Sequence, residues 1–130
     1  MNMTSALSPS HAPVTPQLLQ RLKDIVGADR LLDAADELVV YECDGYVIEK
    51  NAPDVVVFPL NADEVVRIVR ECNRFNVPFV ARGAGTSLAG GSLPVGGGVM
   101  IALTKMNRIV EINLRDRYAI VEPGCVNVRL

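Results

Sequence analysis

Phe79-Val80-Ala81-Arg82-Gly83-Ala84-Gly85-Thr86-Ser87-Leu88-Ala89-Gly90-Gly91-Ser92 is the stretch on which the fold turns. Three apolar or small residues suited to a strand run without a break into a segment dominated by glycine. Seven of the ten glycines in the 130-residue chain lie between Gly83 and Gly98, so its backbone freedom is concentrated in one place. In open α/β sheets, ligands bind just beyond the carboxyl end of a strand, which is where this loop falls. Without Cβ atoms, glycine amides approach a phosphate closely. The Thr86 and Ser87 hydroxyls add donors and Arg82 adds a cation. A mere linker would not interleave Arg, Thr and Ser with its glycines.

The residues before the loop supply the rest of a βαβ unit. Val55-Val56-Val57-Phe58 is a β-branched run ended by Pro59, as expected of a buried strand. Asn61 caps a following helix, with Glu64 three residues on reaching back to it. Val65, Ile68, Val69, Cys72 and Phe75 then share one face that should cover a sheet. Asn76 and Pro78 end the helix, and Phe79 to Ala81 forms a second strand parallel to the first.

Beyond the loop, Val99-Met100-Ile101-Ala102-Leu103 reads as a third strand and residues 104–108 as a single helical turn. Residues 109–112 and 119–121 read as a hairpin around a polar tip, broken by Pro123-Gly124. Residues 125–130 look like the opening of another helix. Toward the N-terminus, Thr15 and Pro16 mark a helix start, with Leu18, Leu19, Leu22, Ile25 and Val26 recurring at helical spacing up to Gly27. A short helical piece is expected over 29–36 and a turn at Glu42-Cys43-Asp44-Gly45. Residues 1–14, which hold His11, the only histidine, show no hydrophobic period and are expected to be a flexible lead.

Bulk properties narrow the function. Hydrophobic residues at 49% and charged residues at 22% suit a folded domain, and a net charge of −2 offers no general attraction to nucleic acid or anionic membranes. No apolar stretch approaches the roughly 20 residues of a membrane span. Cys43, Cys72 and Cys125 match neither a disulfide framework nor a metal-ligand pair, which fits a reducing, cytosolic compartment.

With its one histidine in the lead, the chain has no credible nucleophile–base set and no metal cluster. Two familiar phosphate loops also fail. A GxGxxG fingerprint from Gly83 needs glycine at position 88, where Leu88 stands. A GxxxxGK[ST] loop from Gly85 finds Gly91 where its lysine belongs. Chemistry is therefore better assigned to a bound cofactor than to catalytic side chains of this chain.

Across residues 18–130 the chain resembles the vanillyl-alcohol-oxidase type of FAD-binding domain (the PCMH type), and within it the glycolate oxidase and D-lactate dehydrogenase group. The residues carrying the resemblance are Tyr41-Glu42-Cys43-Asp44-Gly45, Pro59 with Asp63-Glu64-Val65, Pro78 through Ser92, and Glu122-Pro123-Gly124. The resemblance implies an α/β lobe with a three-stranded, mainly parallel sheet, covering helices and the start of a second lobe. It also implies FAD held by Arg82, Gly83, Ala84, Gly85, Thr86, Ser87, Leu88, Gly90 and Gly91, with Pro59 and Leu60 on the adenine side.

Members that link flavin covalently often carry a histidine in this loop. Here Thr86 and Ser87 follow Gly85, so FAD is expected without a covalent bond. The resemblance further implies hydride transfer from a small 2-hydroxy acid, with a second FAD subunit and an iron–sulfur subunit as partners that bring the enzyme to the inner membrane. It describes longer proteins, so residues 15–130 are expected to be an incomplete domain, with the substrate-binding residues outside it. The rival reading is a non-catalytic module that holds a phosphate-bearing ligand or docks on a partner.

Overall fold

The computed structural model describes residues 12–45 and 47–130; His11 and most of the expected lead lie outside them. The described end of that lead is docked, because Ala12 N donates to the Asn76 carbonyl at 3.1 Å and Ala12 and Val14 pack against the core. Helix α1 (Pro16–Val26) starts as its residues require, with Leu18 N donating to Thr15 Oγ1 at 3.2 Å, and stops at Gly27, whose φ is +87°.

The helical piece expected over 29–36 is not formed as such. A 3-10 turn (Ala28–Arg30) is followed by strand β1 (Leu31–Leu32) and a single helical turn, α2 (Ala35–Leu38). Strand β1 exists because Leu31 and Leu32 pair antiparallel with Val57 and Val56 of β2 (Val55–Val57), a contact that leaves no local period.

Helix α3 (Ala62–Arg74) is capped by Asn61, whose Oδ1 accepts from Glu64 N at 3.0 Å. The reciprocal half of the expected capping box is displaced by one residue. Glu64 Oε2 accepts from Leu60 N at 2.8 Å, and the same carboxylate holds Arg30 through two hydrogen bonds of 2.7 and 3.0 Å. A nearby guanidinium wins the carboxylate from a lone backbone amide because charge-assisted, two-point bonds are the stronger kind.

Strand β3 (Phe79–Arg82) is parallel to β2 but not beside it. Strand β4 (Val99–Ala102) lies between them, giving a four-stranded sheet of order β1-β2-β4-β3 rather than the expected three strands. Burial explains the order. All four residues of β4 are buried, as a central parallel strand requires, whereas Phe79 and Ala81 of β3 are exposed and suit an edge.

Alternate residues divide the core between the two faces. Val55, Val57, Val99 and Ile101 meet Leu18, Leu22, Ile68 and Cys72 of α1 and α3, while Val56, Met100 and Ala102 meet Leu38, with Tyr41 and Phe58 against them. The second face is thus covered by the chain leading into residues 41–45. The hairpin of β5 (Ile109–Asn113) and β6 (Tyr118–Val121) forms a separate two-stranded sheet. It is anchored at its base by Arg108 on Glu122 at 2.7 Å.

Candidate functional site

Because β2, β3 and β4 are parallel, their carboxyl ends share one end of the sheet. Pro59 follows β2, the glycine loop follows β3, and a 3-10 turn (Leu103–Lys105) follows β4. Three connections with free backbone positions therefore converge there. A cleft of about 390 Å³ opens at this end, between Ala84 and Thr86 of the loop and Thr104, Asn107, Gly124 and Arg129 of the following segments. A second depression of about 280 Å³ lies between α1 and α3, lined by Arg21, Arg67 and Arg70 among others, and takes no part in the loop.

The loop is built around Arg82. This residue is 8% exposed, and Nη1 donates to the Cys43 carbonyl at 2.8 Å, with Cζ 5.7 Å from the centre of the Tyr41 ring. Gly85, at φ +72°, passes so close over the guanidinium that a Cβ there would overlap Nη2 and Cζ. Among the described residues no carboxylate pairs with Arg82. It is a buried positive charge beneath the loop, satisfied among the described residues by a carbonyl and an aromatic face, and buried charges ordinarily have a counter-charge.

Peptide orientation shows where the loop's own donors point. Gly45 N donates to the Ser87 carbonyl at 2.9 Å, and the Thr86 carbonyl also faces Gly45. In a trans peptide the N–H lies opposite the C=O, and the described chain contains no cis bond. The Ser87 and Leu88 amides therefore point away from residues 41–45. No described residue accepts from them or from the amides of Gly85 and Thr86.

Successive N–H groups aimed in one direction form an anion-binding concavity. Ser87 Oγ accepts from Ala89 N at 3.3 Å, which leaves its O–H to donate. Ser92 Oγ is buried with no hydrogen-bond partner. Open amides and a buried cation that has no counter-charge among the described residues together fit a ligand bearing several phosphate oxygens.

The structure gathers Arg82, Gly83, Ala84, Gly85, Thr86, Ser87, Leu88, Gly90 and Gly91 at this end of the sheet, but in different roles. Arg82 turns inward. The Gly90 amide is already used, donating to Asp44 Oδ2 at 3.0 Å. Pro59 is fully buried, so its ring is packing, and its neighbour Leu60 is the exposed residue there.

Sequence reasoning missed Asp54, whose Oδ2 accepts from Gly98 N at 2.7 Å and pins the far end of the glycine-rich segment. It also missed the cleft wall formed by Thr104, Asn107 and Arg129. Neither carries a local signal, although Glu122-Pro123-Gly124 marks where that wall begins.

Comparison with known proteins agrees with the geometry. The family model described as an FAD binding domain matches residues 53–130. Glycolate oxidase subunit GlcD of Escherichia coli is 37% identical over 113 residues, covering 87% of this chain and 23% of that protein. The mitochondrial D-lactate dehydrogenase [cytochrome] of Arabidopsis thaliana is 38% identical over 113 residues, covering 85% and 20%. Among solved structures, p-cresol methylhydroxylase with substrate bound superposes with a TM-score of 0.76 at 31% identity, covering 84% of this chain and 22% of that one. The chain spans less than a quarter of the length of these relatives. On the loop, the family match and these likenesses, the chain belongs to the FAD-binding domain family, in its vanillyl-alcohol-oxidase type, and FAD is its cofactor.

Proposed function

We propose that this chain is the cofactor-binding portion of an FAD-dependent dehydrogenase acting on a small 2-hydroxy acid, glycolate or D-lactate. The observation that carries the reading is the pair of open amides at Ser87 and Leu88 in a loop whose Gly85 lies against the buried Arg82, with which no carboxylate among the described residues pairs. The substrate class rests on the relatives named glycolate oxidase and D-lactate dehydrogenase.

Bound FAD would supply the hydride acceptor for the hydroxyl-bearing carbon of such an acid. The chain's own residues bind and orient. The amides of residues 83–88 and Gly91, with the Thr86 and Ser87 hydroxyls, take the diphosphate oxygens, and Arg82 offsets their charge from beneath. The cleft beside Ala84 and Thr86 takes the rest of the cofactor, and Leu60 flanks the adenine side.

None of these groups is a proton acceptor placed for catalysis. The base that takes the hydroxyl proton and the residues that hold the acid lie outside this chain, and the cofactor is held without a covalent bond. The enzyme works in the cytoplasm, passes electrons to partner subunits, and meets the inner membrane through them. No helix among the described residues is long and apolar enough to cross a membrane.

The test is anaerobic addition of glycolate or D-lactate to the FAD-loaded full-length protein that carries this portion, read as loss of flavin absorbance. Bleaching by either acid is the expected result. Bound flavin that no 2-hydroxy acid bleaches would remove the substrate assignment while leaving FAD binding intact.

A further inference from the structure

Beyond the 3-10 turn that ends at Tyr41, residues 42–45 form neither helix nor strand, yet three hydrogen bonds tie this short segment to the cofactor loop. Arg82 Nη1 donates to Cys43 O at 2.8 Å, Gly45 N to Ser87 O at 2.9 Å, and Gly90 N to Asp44 Oδ2 at 3.0 Å. The ties reach the start, middle and far end of the loop, across sequence separations of 39 to 46 in the outer two. The segment is itself held at its base. Asn51 N donates to Glu42 O at 2.7 Å and Lys50 pairs with the Glu42 carboxylate at 2.6 Å.

Asp44 stands out in this arrangement because it is 5% exposed. An Asp-Gly turn needs no buried carboxylate, and burying one is costly unless hydrogen bonds are gained. What this carboxylate gains includes a loop amide. Gly85 and Gly90 both sit at φ +72° within a segment rich in unrestricted residues, so an untied loop would sample many shapes.

We propose that Asp44 is a positioning residue for the cofactor: by holding the Gly90 amide it keeps the loop open, in the shape that presents the Ser87 and Leu88 amides, before the cofactor arrives. The inference deepens the FAD-binding reading above and rests on it. Gly90 then serves through its conformation and its tie to Asp44, not as a phosphate donor. A loop that is competent only part of the time binds with an affinity reduced by that fraction, and the loss falls on association.

Fluorescence titration and stopped-flow mixing of FAD with the purified protein test this in the wild type, D44A and D44N. D44A is expected to weaken FAD binding about tenfold or more, in the association rate, with dissociation changed by less than about threefold. D44N keeps an acceptor for Gly90 N and is expected to stay within about threefold of wild type. A role confined to overall stability would lower the melting temperature of D44A and leave FAD association by the folded protein unchanged, and that result overturns the proposal. So does D44N binding as weakly as D44A, since the charge rather than the acceptor would then matter.

Hydrogen exchange of the wild-type apoprotein is independent of any variant. The Gly90 amide should exchange slowly, and those of Ser87 and Leu88 fast until FAD is added. Gly90 exchanging as fast as Leu88 would sink the positioning role by itself. A wild type that takes up no FAD while its Gly90 amide stays protected would instead remove the functional reading on which the proposal rests.

Discussion

Replacing Gly85 with alanine strikes the cofactor loop at its tightest point. The new Cβ would overlap Nη2 and Cζ of Arg82 and stand 2.7 Å from Nε, and the backbone there is at φ +72°. Holding a non-glycine residue in the left-handed region costs about 1–2 kcal/mol. Pushing the guanidinium aside also loses its bond to Cys43 O, about 1.5–3 kcal/mol for a charged donor, and its contact with the Tyr41 ring, about 0.5–1 kcal/mol. The sum is about 3–6 kcal/mol against the loop shape seen here, which corresponds to a fall of about a hundredfold or more in FAD affinity if that shape is the binding one.

The control is Gly83→Ala. A Cβ at Gly83 meets nothing within 4 Å and its φ is not positive, so the apoprotein should melt as wild type does. Flavin-fluorescence titration combined with thermal melting of the apoprotein reads both variants. G83A weakening FAD binding at unchanged stability would show the cofactor itself passing close to that backbone. G85A binding FAD within about threefold of wild type, with an unchanged melt, would refute the steric account of the loop.

Three further outcomes follow from the packing. Arg30 holds the Glu64 carboxyl below its ordinary value near 4.5, with the Leu60 amide assisting. Stability from this pair is therefore present above that value and is lost as pH falls through the lower, folded one. E64A should cost about 2–3 kcal/mol, because it strands an Arg30 that is only 16% exposed; parallel melting-against-pH profiles for wild type and E64Q across acid pH would contradict this.

Burial holds the Cys72 thiol up at about 11 from 9.0. Its contribution is full below 9.0 and is lost as pH rises toward 11, and in the folded protein iodoacetamide should label the half-buried Cys43 and Cys125 but not Cys72. Mass spectrometry showing Cys72 labelled alongside Cys125 would contradict that placement. Asn61→Ala removes the α3 cap and should lower stability by about 1 kcal/mol; an unchanged melt would mean the Leu60–Glu64 bond alone suffices.

What could be read from the sequence follows the range of the interactions involved. Thr15 with Pro16, and Asn61, announce their helices because a cap is decided within three or four residues. The glycine loop declares itself because strand, glycine and hydroxyl residues are adjacent in the chain. Strand β1 and the place of β4 between β2 and β3 depend on partners about 20 or more residues away, and no local period records them.

The site divides the same way. That a glycine-rich loop follows a strand here was legible, although the strand runs one residue further than expected, through Arg82. That Arg82 turns inward to Cys43 and Tyr41, that Asp44 takes the Gly90 amide, and that Glu64 serves Arg30 rather than the Asn61 amide were not legible. Each is a competition among several possible partners, settled by which of them folding brings within reach.

FAD binding by the loop from Arg82 to Gly91, as folded here, is the core of the proposed function. Its most direct test is the visible absorbance spectrum of the purified protein after FAD is added and the excess removed by desalting, with G85A run alongside. Flavin bands retained by the wild type and lost from a folded G85A are the predicted result. A folded wild type that emerges colourless, or a G85A that keeps its flavin as well as the wild type does, would contradict the account.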